Sequence, residues 1–280
     1  MGHPHIPWDI MKSNLIAAAL LACAASAGAT TEDLIMGVSE GTSGGLDHAQ
    51  VISKYQGLAD VVARSIKRKV NVVFVREFSS LEDGMKTGRF DFVIARPSDY
   101  PARGIRNYGY QFVASAKPDG QCWLIVPKDS PLKAVADIKG RRIALPEQAA
   151  YMTKFCQAEL RDLGIDVATE KVQYVREQGA VAFYLDNKFA DVGGVASYSG
   201  VARKWEKDGN RVLHKSAPQP YFPLIASKRV APAQVEAIKA SLAAMADTPS
   251  DQPVLKTVGI QGFDTGSEKR LVDLLKWLRL

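Results

Sequence analysis

Histidine and cysteine are scarce in this chain. Of its 280 residues four are His and three are Cys, and beyond the first thirty only His48, His214, Cys122 and Cys156 remain. With so few and so scattered, no Ser/His/Asp or Cys/His constellation and no zinc site is a credible expectation. The H-E-x-x-H, C-x-x-C and P-loop patterns are missing too, so no cofactor and no metal is expected, and no enzyme. Long apolar runs are also lacking: Leu15 to Ala25 is too short to span a bilayer. Nor is there a basic stripe interleaved with aromatics, although the net charge is +6. The tightest cluster, Arg64 to Lys69 (RSIKRK), reads as the end of one helix, where cations suit the dipole. Nucleic acid is therefore not an expected partner.

What is present begins with a leader. From Met11 the chain reads MKSNLIAAALLACAASAGAT: a Lys, an apolar run, then small residues, the anatomy of a secretory signal. Cleavage after Ala27 or Ala29 fits, and residues 1–29 are set aside from the fold. The preceding MGHPHIPWDI places an acid and a proline ahead of the charged region, so Met11 is the expected true start. Leu20 to Cys23 only half resembles a lipoprotein cleavage box, and a lipid anchor is not expected.

The remaining chain, 46% apolar and 24% charged over the whole sequence, alternates strands and helices. Leu34–Val38, Val70–Val75 and Phe90–Ala95 read as strands, joined by helices over Val51–Lys67 and Leu81–Thr87, the pattern of right-handed βαβ units. A second set comes after: strands at Cys122–Val126, Arg142–Leu145, Val172–Val175 and Ala190–Val195, with helices at Ala149–Leu163 and Ala180–Asn187. The Pro-rich stretch 216–224 resists helix and is extended. Helices over Pro232–Ala246 and Ser267–Leu280 close the chain. Cys122 starts an apolar strand and Cys156 lies in a helix. Two buried thiols are the default, although an oxidising compartment lets such residues pair.

In order and spacing, several pieces carry a resemblance: LIMGV, SSLEDGMKTGRFDFVIARPSDY, VPKDSPLKAVADIKGRRIAL, ADVGGVAS, PQPYFPLIASKRVAPAQVEAIKASLAAM and KTVGIQGF. Together they resemble the periplasmic solute-binding proteins of the type 2 fold, nearest the phosphonate- and phosphite-binding receptors of ABC transporters. The resemblance implies an α/β, two-lobed fold with two crossover strands, residues 30–121 plus 217–280 forming one lobe and 122–216 the other. It implies a periplasmic protein that captures a small oxyanion or polar solute between the lobes and delivers it to an ABC permease. Some relatives instead present the closed form to a membrane histidine kinase, and some of these bind arsenite through a cysteine, for which Cys122 is the candidate here.

Open parallel sheets place their crevices at the carboxyl ends of strands, and that locates the candidates. After the first strand come Ser39 and Thr42 in a Gly- and hydroxyl-rich loop. After the second comes Ser79, with Ser80 the expected helix cap. After the third come Arg96, Ser98 and Tyr100, where Arg96 either grips an oxyanion or pairs with Asp99 or another carboxylate. In the second half Glu147, Gln148 and Tyr151 come after Pro146, where the chain is expected to restart as a helix; Gln178, Ser197 and Tyr198 lie beyond the later strands. Phosphonate receptors carry a Ser/Thr-rich run where this chain has Glu147. An ionised Glu147 either repels a phosphoryl group or complements a helix dipole in the first turn.

Overall fold

The structure is a computed structural model and describes residues 1–2, 32–43 and 45–280. The leader expected over residues 1–29 lies outside the described residues from residue 3 on. Asp33–Leu280 form a single compact unit.

β1 (Leu34–Ser39), α1 (His48–Ile66), β2 (Val70–Phe74), α2 (Phe78–Lys86) and β3 (Phe92–Ala95) open the fold. α1 starts in a capping box: Asp47 accepts from the Gln50 amide at 2.8 Å and Gln50 returns the contact at 2.9 Å. Its stripe of Val51, Tyr55, Leu58, Val62 and Ile66 is buried. At roughly 1.5–3 kcal/mol for a fully buried large apolar side chain, that face outweighs any weakness of local propensity.

Next come α3 (Asp99–Tyr108), β4 (Gln111–Gly120) and β5 (Cys122–Val126). Apolar spacing does not announce α3 or β4. α3 contains Pro101 and Gly104, yet Pro101 falls in the first turn, where no intrahelical N–H is needed. β4 carries only a short apolar stretch, Phe112 to Ala114, before small and polar residues, and is held by partners on both sides.

β6 (Arg142–Pro146), α4 (Tyr151–Asp162), β7 (Lys171–Val175), α5 (Gln178–Asp186), β8 (Val192–Ala196), α6 (Gly200–Lys207) and β9 (Arg211–Lys215) make the second half. β10 (Gln219–Ala226), α7 (Pro232–Ala244), α8 (Gln252–Val258), β11 (Gly262–Asp264) and α9 (Glu268–Trp277) finish the chain.

Among the described residues two sheets form. The first runs β11-β4-β10-β3-β1-β2 and the second β7-β6-β8-β5-β9. β1 is parallel to β2 and β3, and β6 is parallel to β7 and β8. β10 enters the first sheet antiparallel between β3 and β4. The chain crosses between sheets twice, at Gln121 and over residues 216–218. The crossings are tied together: Gln121 Nε2 donates to the Ser216 carbonyl at 2.6 Å, and the Cys122 amide donates to Ser216 Oγ at 2.9 Å.

Two glycines in β8 are dictated by packing. A Cβ at Gly193 would lie 2.5 Å from Val181, and one at Gly194 would lie 2.5 Å from Leu145 and 2.9 Å from Cys156 Sγ. Helices can press on both faces of that strand only because it is bare.

The expectation of two buried thiols is overturned. Cys122 and Cys156 form a disulfide between β5 and α4, with an S–S distance of 2.09 Å. Both are fully buried. No sequence signal shows that positions 34 residues apart meet. The arsenite-binding thiol considered at Cys122 is likewise corrected, because its sulfur is already bonded and out of solvent.

α9 packs on α3 and β10 of the first half and also reaches across to the second. Leu271, Leu274, Leu275 and Leu278 share a core with Phe155 and Cys156. Trp277 meets the Phe155 ring edge-on at 5.2 Å and donates to Asp162 at 2.6 Å.

Candidate ligand site between the lobes

The end of β1 delivers Ser39 and then Glu40, which is only 5% exposed. Its Oε1 accepts from Lys54 at 2.9 Å and from the Tyr55 hydroxyl, both on α1. Its Oε2 accepts from Arg96 Nε at 2.8 Å. Arg96, just past β3, also donates through Nη2 to the Val258 carbonyl at 3.1 Å and to Tyr55 at 3.4 Å. The Phe222, Tyr221 and Tyr198 rings lie 4.8, 5.5 and 5.7 Å from its guanidinium carbon. Burial would raise the Glu40 carboxyl, but Arg96 and Lys54 reverse this and hold it below its usual range. Burial, with Glu40 beside it, raises the Tyr55 phenol, which stays neutral and donates. A carboxylate this enclosed is tolerable only because three donors satisfy it.

The second half supplies uncharged groups. Tyr151 and Met152 come from the first turn of α4, Gln178 from the first residue of α5, and Tyr198 from the loop beyond β8. Gln178 is oriented by accepting from the Ala196 amide at 2.8 Å. With Thr42, Phe78 and Arg96 these residues enclose about 10 Å³, room for roughly one water. A second cavity, about 260 Å³, shares Glu40, Gly41, Thr42 and Phe78 with this space. Its remaining polar lining is charged and mixed in sign: Arg76 and Glu77 from the first half, Glu147, Arg176 and Glu177 from the second.

One ion pair crosses the cleft. Lys154 on α4 lies 2.9 Å from Asp99 on α3, and Arg103 approaches the same oxygen at 3.6 Å. Asp99 is fully buried, and its other oxygen has no partner. Burial raises its carboxyl, against the opposing pull of Lys154 and Arg103.

Thr42, Arg96, Tyr151, Gln178 and Tyr198 thus come together around the enclosed space, with Glu147 at the outer cavity. The other candidates are placed elsewhere. Ser39 is buried, its hydroxyl accepting from the Gly41 amide at 3.4 Å. Ser98 is buried beside Arg96 at the start of α3. Tyr100 stacks on Phe78 at 5.5 Å and lies under Arg103. Ser197 accepts from the Gln121 amide at 3.1 Å and ties a crossing. Ser79 is exposed on α2. Gln148 lines a different groove, with Lys154 and Gln157.

Two local expectations are corrected and one alternative is resolved. α2 begins at Phe78 after Glu77, so Ser80 is inside the helix and caps nothing. α4 begins at Tyr151, not at Glu147; residues 147–150 form a turn closed by the Ala150 amide on the Glu147 carbonyl at 2.9 Å. Glu147 is therefore outside the first helical turn. Of the alternatives left open for Arg96, the structure shows the pairing with another carboxylate, and that carboxylate is Glu40. Glu40, Lys54 and Tyr55 are site residues that sequence reasoning missed. The available signal was Tyr55 itself, a phenol on the apolar stripe of α1 that needs a partner inside.

Two α/β lobes meeting over a cleft at strand carboxyl ends define a two-lobed solute-binding protein. Solved structures share the fold. The Xanthomonas citri protein XAC2383, solved with ATP, is 18% identical with a TM-score of 0.70, the match covering 88% of this chain and 96% of that one. PhnD1 from Prochlorococcus marinus, solved with methylphosphonate, is 11% identical with a TM-score of 0.70 over 88% and 97%. The aliphatic sulphonate binding protein SsuA from Escherichia coli is 16% identical with a TM-score of 0.60 over 88% and 83%. The family model for the phosphonate ABC transporter periplasmic substrate-binding protein matches residues 45–271, and the chain belongs to that family of substrate-binding proteins, which are not enzymes.

Proposed function

We propose that this chain captures a small oxyanion of the phosphonate or phosphite type between its lobes, in the periplasm, and delivers it to an ABC permease. The observation behind this is Arg96: a buried guanidinium at a strand end, facing Thr42, Tyr151, Gln178 and Tyr198 across a small space. Those neighbours offer hydroxyl and amide donors, the chemistry that wraps an oxyanion. Membership in the phosphonate-binding family supports the same solute class and the permease as partner. Closure trades cleft water for ligand contacts, and the ligand shifts the equilibrium only by its differential affinity for the closed form.

A thermal-shift panel tests this, with phosphate, phosphite, methylphosphonate, aminoalkylphosphonates, sulfate and carboxylates at matched ionic strength. Ligand at a hundredfold over its dissociation constant should add about 2.7 kcal/mol of stability. Failure of every phosphorus oxyanion to raise the melting temperature would refute the reading.

A further inference from the structure

The charged groups at the head of the cleft, Arg96 and Glu40 buried and Lys54 half-buried, do not balance. Lys54 and Arg96 are two cations sharing one carboxylate, Glu40, which leaves a single positive charge. The phenols around them add none. Tyr55, Tyr151 and Tyr198 are all pushed up by burial and stand as neutral hydroxyls. The neighbouring set of Asp99, Lys154, Arg103 and Glu82 pairs among itself, with Lys154 at 2.9 Å and Arg103 at 3.6 Å from Asp99, and Arg103 at 3.0 Å from Glu82. The remaining charges, Arg76, Glu77, Glu147, Arg176 and Glu177, sit at the outer cavity, where salt reaches and screens them.

Glu40 is also fixed in place. Lys54, Tyr55 and Arg96 all donate to it, so it cannot swing away when an anion arrives. Arg96, in turn, commits Nε to Glu40 and Nη2 to Val258 and Tyr55. Its Nη1 has no hydrogen-bond partner among the described residues and is the guanidinium nitrogen left for a ligand. Any head group bound there lies against one uncompensated cation and beside a captive carboxylate. A second negative charge on it would be desolvated without a counter-charge, which costs more than the donors return.

Resting on the oxyanion reading above, we propose that Glu40 is the specificity-determining residue of the cleft and acts as a charge filter: the site selects singly charged oxyanion heads and rejects the doubly charged form of the same group. The ligand class is thus a monoanion, such as a phosphonate carrying one proton or a sulfonate.

Methanesulfonate and methylphosphonate are near-isosteric probes that separate charge from shape, since the sulfonate keeps one charge while the phosphonate gains a second as pH rises. Isothermal titration of the full chain with each, across the second ionisation of methylphosphonate, reads the filter in the unmodified protein. Methanesulfonate affinity should stay flat. Methylphosphonate affinity should fall with the remaining monoanion fraction, about tenfold per pH unit above that ionisation. Glu40→Gln raises the buried charge by one and should abolish that fall. Lys54→Met removes the surplus charge and should weaken both probes, giving a second reading if Glu40→Gln does not fold. Methylphosphonate affinity that holds or rises as the dianion forms in the unmodified protein would overturn the filter alone and leave oxyanion capture standing. Silence from both probes and from every phosphorus oxyanion of the thermal panel would overturn the capture reading and the filter with it.

Discussion

At the ends of β1 and β3 the side chains that reach the cleft are Glu40 and Arg96, locked to each other and to Lys54 and Tyr55. At the corresponding edge of the second sheet the side chains beside Arg96 are Tyr151, Gln178 and Tyr198, none of which carries charge, while Glu147, Arg176 and Glu177 lie exposed at the outer cavity. The difference has a physical logic. Breaking a buried charge network is costly, and the whole network around Glu40 and Arg96 lies within one lobe, where opening leaves it intact. Neutral hydroxyls and amides can exchange a partner for water at little net change, so they suit the wall that must part from its neighbour. If the lobes separate, the buried charge that loses a partner is Asp99 facing Lys154.

The sharpest way to break this comparison is to remove one member from each side. Arg96→Met leaves Glu40 buried with a donor missing and should cost about 3 kcal/mol or more in urea unfolding. Tyr151→Phe should cost about 1.5 kcal/mol or less. Equal losses would mean that the two walls are not built differently. Next in size is the disulfide, which lies within the second half and has no counterpart among the described residues of the first. The double change Cys122→Ala with Cys156→Ala should lower stability by about 2–4 kcal/mol. A melting temperature indifferent to both mutation and reductant would show that the bond does not form.

The smallest effect is a pH dependence. Burial raises the Asp99 carboxyl above its ordinary 3.8. A group raised in this way binds more protons when folded, so its contribution is complete in acid and is lost as pH climbs from the ordinary value through the raised one. Glu40, held low, works in the opposite sense and loses its contribution as pH falls. Asp99→Asn should remove the first slope, so its stability relative to the parent rises across that window by at most about 1.4 kcal/mol per pH unit. Parallel pH profiles would rule out a perturbed Asp99.

Much of this architecture is legible in the sequence. β-branched runs alternating with amphipathic helices read correctly as the parallel strands β1, β2 and β3 and as β6 and β7, while the antiparallel pairings of β10, β4, β11, β5 and β9 were not legible. Of the strand-end candidates, Thr42, Arg96, Tyr151, Gln178 and Tyr198 line one space. What was not legible depends on contacts between distant segments. Whether Arg96 faces Glu40 or Asp99 is settled by the register of β1 against β3, where Ser39 pairs with Ala95. The start of α4 is settled by one turn over residues 147–150, which sends Glu147 to the cleft and Gln148 to another groove. α3 and β4 escaped notice because Pro101 and Gly104 in one and Lys117 to Gly120 in the other interrupt any apolar periodicity, and neighbours rather than local propensity hold them in place.

The position of β10 has a consequence for how such a chain comes into being. Leu224 pairs with Ile94 on one side and Ala114 on the other, so the middle of the first sheet is a strand made after everything from Cys122 to Lys215. The second sheet, by contrast, is drawn from one unbroken stretch of chain. Synthesis therefore hands over every strand of the second sheet while the first still waits for its central one, and the sheet that begins first is the sheet that must be finished last.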